Sequence, residues 1–148
     1  MVYTVGEMAK IIGVPASTLR YYDQEGLLPF VERSGGGMRI FSEKDYETLL
    51  VIECLKRSGL SIREIKDFIH MALEGDASIG RRLELFRNRR EELKKQMSAM
   101  AETLEILNYK CWYYETAAKA GTEAAVRDMD ISEVPPELRG AREKLSHI

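Results

Sequence analysis

Twelve positions between Ile79 and Ala118, spaced alternately by four and three residues, constrain this chain more than any other feature: Ile79, Leu83, Phe86, Arg90, Leu93, Met97, Met100, Leu104, Leu107, Cys111, Tyr114 and Ala118. Eleven of the twelve are apolar when Cys111 and Tyr114 are counted, Arg90 being the exception, and no proline interrupts the run. A seven-residue repeat sustained for so long is the seam of a coiled coil. A helix of roughly 40 residues is about 60 Å long, and in a lone small chain its seam would lie open to water. No second long apolar helix is available within the 148 residues to fold back on it, so a second copy of the chain is the expected partner. Arg90 at a seam position needs an answering acid, which Glu102 or Glu105 would supply in an antiparallel pairing.

The first 75 residues read differently, as a helix-rich module. Thr4 and Glu7 form a capping-box pattern, with Val5, Met8, Ile11 and Ile12 on one face of the short helix that follows. Gly13 ends that helix. Val14-Pro15 opens a second, which runs through Leu19 and Tyr22 to Gly26, and two short helices about a glycine turn make a helix-turn-helix candidate. The segment Phe30 to Phe41 reads as a β-hairpin with a flexible Ser34-Gly35-Gly36-Gly37 tip. Ser42 with Asp45, and Ser61 with Glu64, mark two further helix starts, with ends expected before Gly59 and Gly75. Gly121 is the expected stop of the long helix. Beyond it lie a short helical candidate at Glu123 to Arg127, the pair Pro135-Pro136, and a last dozen residues expected to be mobile unless something docks them.

Composition excludes several classes. Hydrophobic residues make up 45% and charged residues 31%, which fits a folded soluble chain. Cys54, Cys111, His70 and His147 have no metal-ligand spacing, so no zinc site and no cofactor are expected. No apolar run suits a membrane span or a signal peptide, and the expected compartment is the cytoplasm, with reduced thiols. There is no nucleophile-base set, no paired carboxylates in a catalytic setting and no phosphate loop, so an enzyme is not expected. With 22 basic against 24 acidic residues the net charge is -2, so any nucleic-acid contact must come from a few placed cations.

The stretches YTVGEMAKIIGVPASTLRYYDQEGLLPF and RSGGGMRIFSEKDYETLLVIECLKRSGLSIREIKDFI resemble the MerR family of bacterial transcriptional regulators, over about residues 2 to 70. The piece GV-x3-TLRYYD-x2-GLL carries most of that resemblance. It implies a mainly α fold: a winged helix-turn-helix DNA-binding module at 1–75, a dimerisation helix in an antiparallel coiled coil at 76–121, and a short C-terminal segment at 122–148. It also implies a homodimer on a palindromic promoter operator in double-stranded DNA, which twists and shortens the DNA and so acts on RNA polymerase indirectly. Residues of the second helix, Ser17, Thr18, Arg20 and Tyr21, then face the DNA, while Leu19 and Tyr22 face the core. Arg33 and Arg39 on the hairpin are assigned to flanking phosphates. Where the family commonly has a tyrosine before the second of these arginines, this chain has Met38, which lacks a hydroxyl donor. The basic run from Arg81 to Lys95 is expected to be a solvated helix face.

The family's soft-metal sensors place cysteines at the start of the dimerisation helix and in a loop after it, and neither place holds Cys or His here. An iron-sulfur cluster lacks its four cysteines, and some thirty residues after the helix are too few for a drug-binding domain. What remains resembles the small branch typified by NmlR and AdhR, which respond to aldehydes, other small electrophiles or nitrosative stress. Cys54 stands at that branch's sensing position. Lys56 and Arg57 flank it with positive charge opposed by Glu53, and the competing reading is a small core residue beside Leu50 and Leu55. Cys111 reads first as seam filling; in an antiparallel dimer it could instead approach Cys54 of the other chain, or Cys111 with the aromatic cluster Tyr109, Trp112, Tyr113 and Tyr114 could line a small effector pocket there. Two alternative functions stand beside the preferred one: a winged-helix protein-interaction module with weak DNA binding, and a regulator whose ligand input does not use a thiol.

Overall fold

The computed structural model describes residues 1–146; His147 lies outside them. The chain divides into two compact units, Met1–Arg89 and a second starting at Arg90. In the first, the element order is β1 (Val2–Tyr3), α1 (Val5–Ile12), α2 (Ala16–Gln24), β2 (Glu32–Arg33), β3 (Arg39–Ser42), α3 (Glu43–Arg57) and α4 (Ile62–Leu73). A 3-10 turn over Gly75–Ser78 leads into α5 (Ile79–Ala120), within which the division between the units falls.

The three strands form one antiparallel sheet in the order β1-β3-β2, with Val2 opposite Ser42 and Tyr3 opposite Phe41. The third strand, β1, was not expected from the sequence. Its two residues are too few to show alternation, and the sheet fixes them by pairing. The sheet also aims two helices. Thr4 directly follows β1 and caps α1, Ser42 ends β3 and caps α3, and both capping boxes are complete. Glu7 accepts from the backbone and hydroxyl of Thr4, which holds its carboxyl below the ordinary carboxylate range. The Ser61–Glu64 box opens α4 in the same way.

The core of this unit is drawn from every helix: Met8 and Ala9 on α1, Leu19 and Tyr22 on α2, Leu49, Ile52 and Leu55 on α3, and Ile65, Phe68 and Ile69 on α4, with Leu27, Leu28, Phe41 and Leu60 between them. Each large apolar side chain buried in this way contributes about 1.5–3 kcal/mol of transfer free energy. On α1 the inward stripe is Val5, Met8, Ala9 and Ile12; Ile11, assigned to that face from the sequence, is 49% exposed because it falls to one side of the 3.6-residue repeat. Gly26 ends α2 at φ 78°, where a Cβ would also stand 3.1 Å from the end of the Lys66 side chain. The joint into α5 is polar: the buried Ser78 hydroxyl lies against the Met71 and Gly75 carbonyls, and Arg82 donates to Ser78 Oγ and to the Gly75 carbonyl, each at 2.9 Å.

In the second unit α5 ends at Gly121, whose φ of 76° suits the left-handed stop of a helix. The chain continues through α6 (Ala124–Arg127), 3-10 turns at Ile131–Glu133 and Pro136–Leu138, and α7 (Arg139–Leu145). This segment is docked. Val126, Val134 and Ala141 are buried, as are Tyr109 and Ala117 of α5, and Lys144 approaches Glu105 at 3.7 Å. Two arginines hold it by donating to backbone carbonyl oxygens. Arg142 donates to the carbonyls of Val126, Arg127 and Met129 at 2.8–3.1 Å, and Arg139 to those of Ser132 and Val134. The Arg127 and Met129 carbonyls past the last turn of α6 thereby find donors, and the Val126 carbonyl, already paired with the Met129 amide, gains a second. An apolar count along the sequence does not register this, because guanidinium-to-carbonyl bonding does the ordering.

Candidate nucleic-acid interface

Helix α2 separates its residues as its period requires. Leu19 and Tyr22 are fully buried, whereas Ser17, Arg20 and Tyr21 are exposed and Thr18 is half-buried. Ser17, Arg20, Tyr21 and Gln24 follow an i, i+3, i+4, i+7 spacing, so they form one outward face. Among the described residues Arg20 enters no ion pair, which leaves its guanidinium available for an outside acceptor.

Tyr22 anchors this helix from beneath. Its hydroxyl donates to Glu53 Oε1 at 2.5 Å and accepts from Lys56 Nζ at 3.2 Å, both on α3, and the same ammonium stands 5.5 Å from the ring centre. Burial, and then the Glu53 carboxylate, push the phenol well above its ordinary value of 10.0. The pairing spans more than thirty residues, so sequence reading assigned Tyr22 to the core without finding its polar partners.

The hairpin formed by β2 and β3 closes through Ser34–Met38, with the Ser34 amide donating to the Met38 carbonyl at 2.8 Å and the tip glycines exposed. Arg33 and Arg39 face each other across the strands. Both turn to one acceptor, Asp23 at the inner end of α2: Arg33 Nη2 donates to Asp23 Oδ2 at 2.7 Å, and Arg39 Nε donates to the same oxygen at 2.8 Å, with its Nη2 also 2.8 Å away in the ion pair. Arg33 keeps half of its side chain in solvent, while Arg39 is largely covered. Nothing in the local spacing of the sequence pointed to Asp23, because the contact is made only when the hairpin folds back onto α2. Met38 is exposed beside this cluster.

Cys54 is exposed on α3, with Arg57 three residues on and Leu50, itself 41% exposed, four residues before. The inward face of the helix is Leu49, Ile52 and Leu55, so the reading of Cys54 as a core residue does not hold. In the second unit Cys111 is also exposed. Tyr109 is buried, Trp112 and Tyr113 are half-buried, and their rings lie 5.9 and 6.1 Å from that of Tyr109. Burial and the Glu123 carboxylate raise the Tyr113 phenol above its ordinary value. Met97, Met100, Leu104 and Leu107 present an apolar strip on α5, each more than half exposed. Among the described residues no three His, Cys, Asp or Glu side chains gather as a metal set, and no helix is long and apolar enough to cross a membrane.

A short exposed helix, braced by a second helix and flanked by an arginine-bearing hairpin, defines a winged helix-turn-helix. Comparison with known proteins agrees. Residues 3–72 match the MerR HTH family regulatory protein model, and residues 46–108 match the MerR, DNA binding model. An uncharacterized HTH-type transcriptional regulator of Haemophilus influenzae is 41% identical over 90% of this chain and 98% of its own length. AdhR of Bacillus subtilis is 34% identical over 60% of this chain and 64% of its own. Among solved structures, HiNmlR, a MerR family regulator lacking the sensor domain and bound to promoter DNA, superposes with a TM-score of 0.76 at 41% identity, covering 84% of this chain and 99% of that one. A MerR family regulator from Bacillus thuringiensis gives 0.70 at 37% identity, covering 75% and 97%. The chain belongs to the MerR family of DNA-binding transcriptional regulators.

Proposed function

We propose that the chain acts as a homodimer on a palindromic operator in promoter DNA, with residues 1–75 as the DNA-binding module, 76–121 as the dimerisation helix and 122–148 as a short C-terminal segment. Ser17, Thr18, Arg20 and Tyr21 enter the major groove, and Arg33 and Arg39 lie along flanking phosphates. Dimerisation runs through the α5 seam in an antiparallel coiled coil. DNA distortion then carries the signal to RNA polymerase, in the cytoplasm and without a reaction catalysed by the protein. The observation that carries this reading is the outward face of α2, where Arg20 is exposed and, among the described residues, free of ion pairs, while Leu19 and Tyr22 lock into the core. The open apolar strip on α5 supports the dimer, since an uncovered strip of this kind belongs against another helix.

For the signal, the reading is a small electrophile that modifies Cys54, supported by the exposure of that thiol and the cation three residues on. Cys111, Tyr109, Trp112 and Tyr113 remain a second candidate effector site. Selection of bound duplexes from a random pool tests the main reading: it predicts an inverted repeat carrying two chains per duplex, and recovery of unrelated sequences would overturn it. For the signal, Cys54→Ser is expected to abolish induction by a dilute electrophile in a promoter assay, and unchanged induction would remove the thiol.

A further inference from the structure

Arg33 and Arg39 are paired directly across β2 and β3, an arrangement in which like charges repel. The repulsion is answered from outside the sheet, by a single carboxylate oxygen of Asp23 that receives one guanidinium from each strand within 2.7–2.8 Å. Asp23 is four-fifths covered, as is Arg39, so these charge-assisted bonds are sheltered from the screening that weakens surface pairs. Arg33 is fixed a second time through Nη1, which donates to the Gly37 carbonyl at 3.0 Å. The wing is thus tied to the inner end of α2 at its base while its glycine tip is left free. Of the two wing charges one is cancelled, and the cluster offers a net charge of +1.

We propose that Asp23 is a specificity-setting positioning residue: it fixes the angle between wing and recognition helix and withholds one positive charge per protomer from non-specific contact with DNA phosphates. This rests on the DNA-binding reading above. Specific binding needs helix and wing to meet groove and phosphate in one register, which a fixed angle favours. Non-specific binding needs only positive charge, which the carboxylate reduces. Removing the carboxylate therefore moves the two kinds of binding in opposite directions, a pattern that simple damage to the fold does not produce.

The test compares wild type, Asp23→Asn and Asp23→Glu on two duplexes, the sequence that wild type selects from a random pool and a scrambled version, between 50 and 200 mM salt. For Asp23→Asn the non-specific slope of log affinity against log salt is expected to steepen by about 0.9 per protomer. For a dimer that is about 1.8, a further fall of about 12-fold over the fourfold salt range. Affinity for the scrambled duplex at low salt is expected to rise, and the specific-to-scrambled ratio to drop at least tenfold. Asp23→Glu keeps the charge on a longer arm, so its slope should match wild type while its ratio falls. It serves as the readout should Asp23→Asn fail to fold. An unchanged ratio in either variant, or parallel loss on both duplexes with an unchanged slope in Asp23→Asn, overturns the proposal. If wild type itself selects no sequence, it is the DNA-binding reading that fails.

Discussion

Replacing Tyr22 by Phe removes one oxygen and leaves the ring in its place. That oxygen donates to Glu53 at 2.5 Å and accepts from Lys56 at 3.2 Å, and it is the polar tie between α2 and α3. A hydrogen bond to a charged group contributes about 1.5–3 kcal/mol. Glu53 is only half-buried, so water relieves part of its loss and about 1–2 kcal/mol is the expected destabilisation. For a unit of this size that lowers the melting temperature by about 5–15 °C. The pH dependence follows from the raised phenol pKa. Neutral Tyr22 is favoured in the folded state, so its contribution is fully present below pH 10 and is lost as pH rises through the folded value. Wild type should therefore lose stability more steeply than Tyr22→Phe above pH 10. Thermal and urea unfolding followed by circular dichroism, at one fixed protein concentration because the proposed dimerisation would shift apparent stability, give both quantities. A Tyr22→Phe melting temperature within 1 °C of wild type at pH 7, with parallel alkaline limbs, would refute the reasoning.

Three further outcomes are expected. Arg20→Ala should weaken binding to the selected operator by about 1–3 kcal/mol, roughly 5- to 150-fold, with little effect on a scrambled duplex, as measured by fluorescence anisotropy. Leu104→Glu places a charge in the apolar strip of α5 and should convert the dimer to monomer in sedimentation, while the melting transition of the first unit persists. Arg142→Ala strips the Arg127 and Met129 carbonyls of their donor, while Val126 keeps the Met129 amide, at a cost of about 1–3 kcal/mol, and amide protection over residues 124–145 should fall at least tenfold in hydrogen exchange.

What the sequence disclosed was local. The capping boxes at Thr4, Ser42 and Ser61, the glycine stops and the single long helix depend on residues within one or two turns of each other, and each is present in the structure. The division of α2 into an inner face through Leu19 and Tyr22 and an outer face through Arg20 and Tyr21 follows from helix periodicity alone. What it withheld were contacts made across the fold. Asp23 meets arginines ten and sixteen residues away, and Tyr22 meets α3 more than thirty residues on. Strand β1 exists only because β3 is beside it, and the tail orders through guanidinium-carbonyl bonds invisible to an apolar count. Arg33 and Arg39 were legible as wing cations, but not the carboxylate that gathers them.

The claim that joins these observations is that a chain of net charge -2 binds DNA through a few aimed residues and through sequence. Titration of the wild-type protein against its selected palindrome and a scrambled duplex, across 50 to 200 mM salt, measures this directly. The account predicts a linear fall of log affinity with log salt on both duplexes, and a palindrome preference of about 10³-fold or more that persists at the upper salt limit. Equal affinity for the two duplexes at every salt concentration would contradict it.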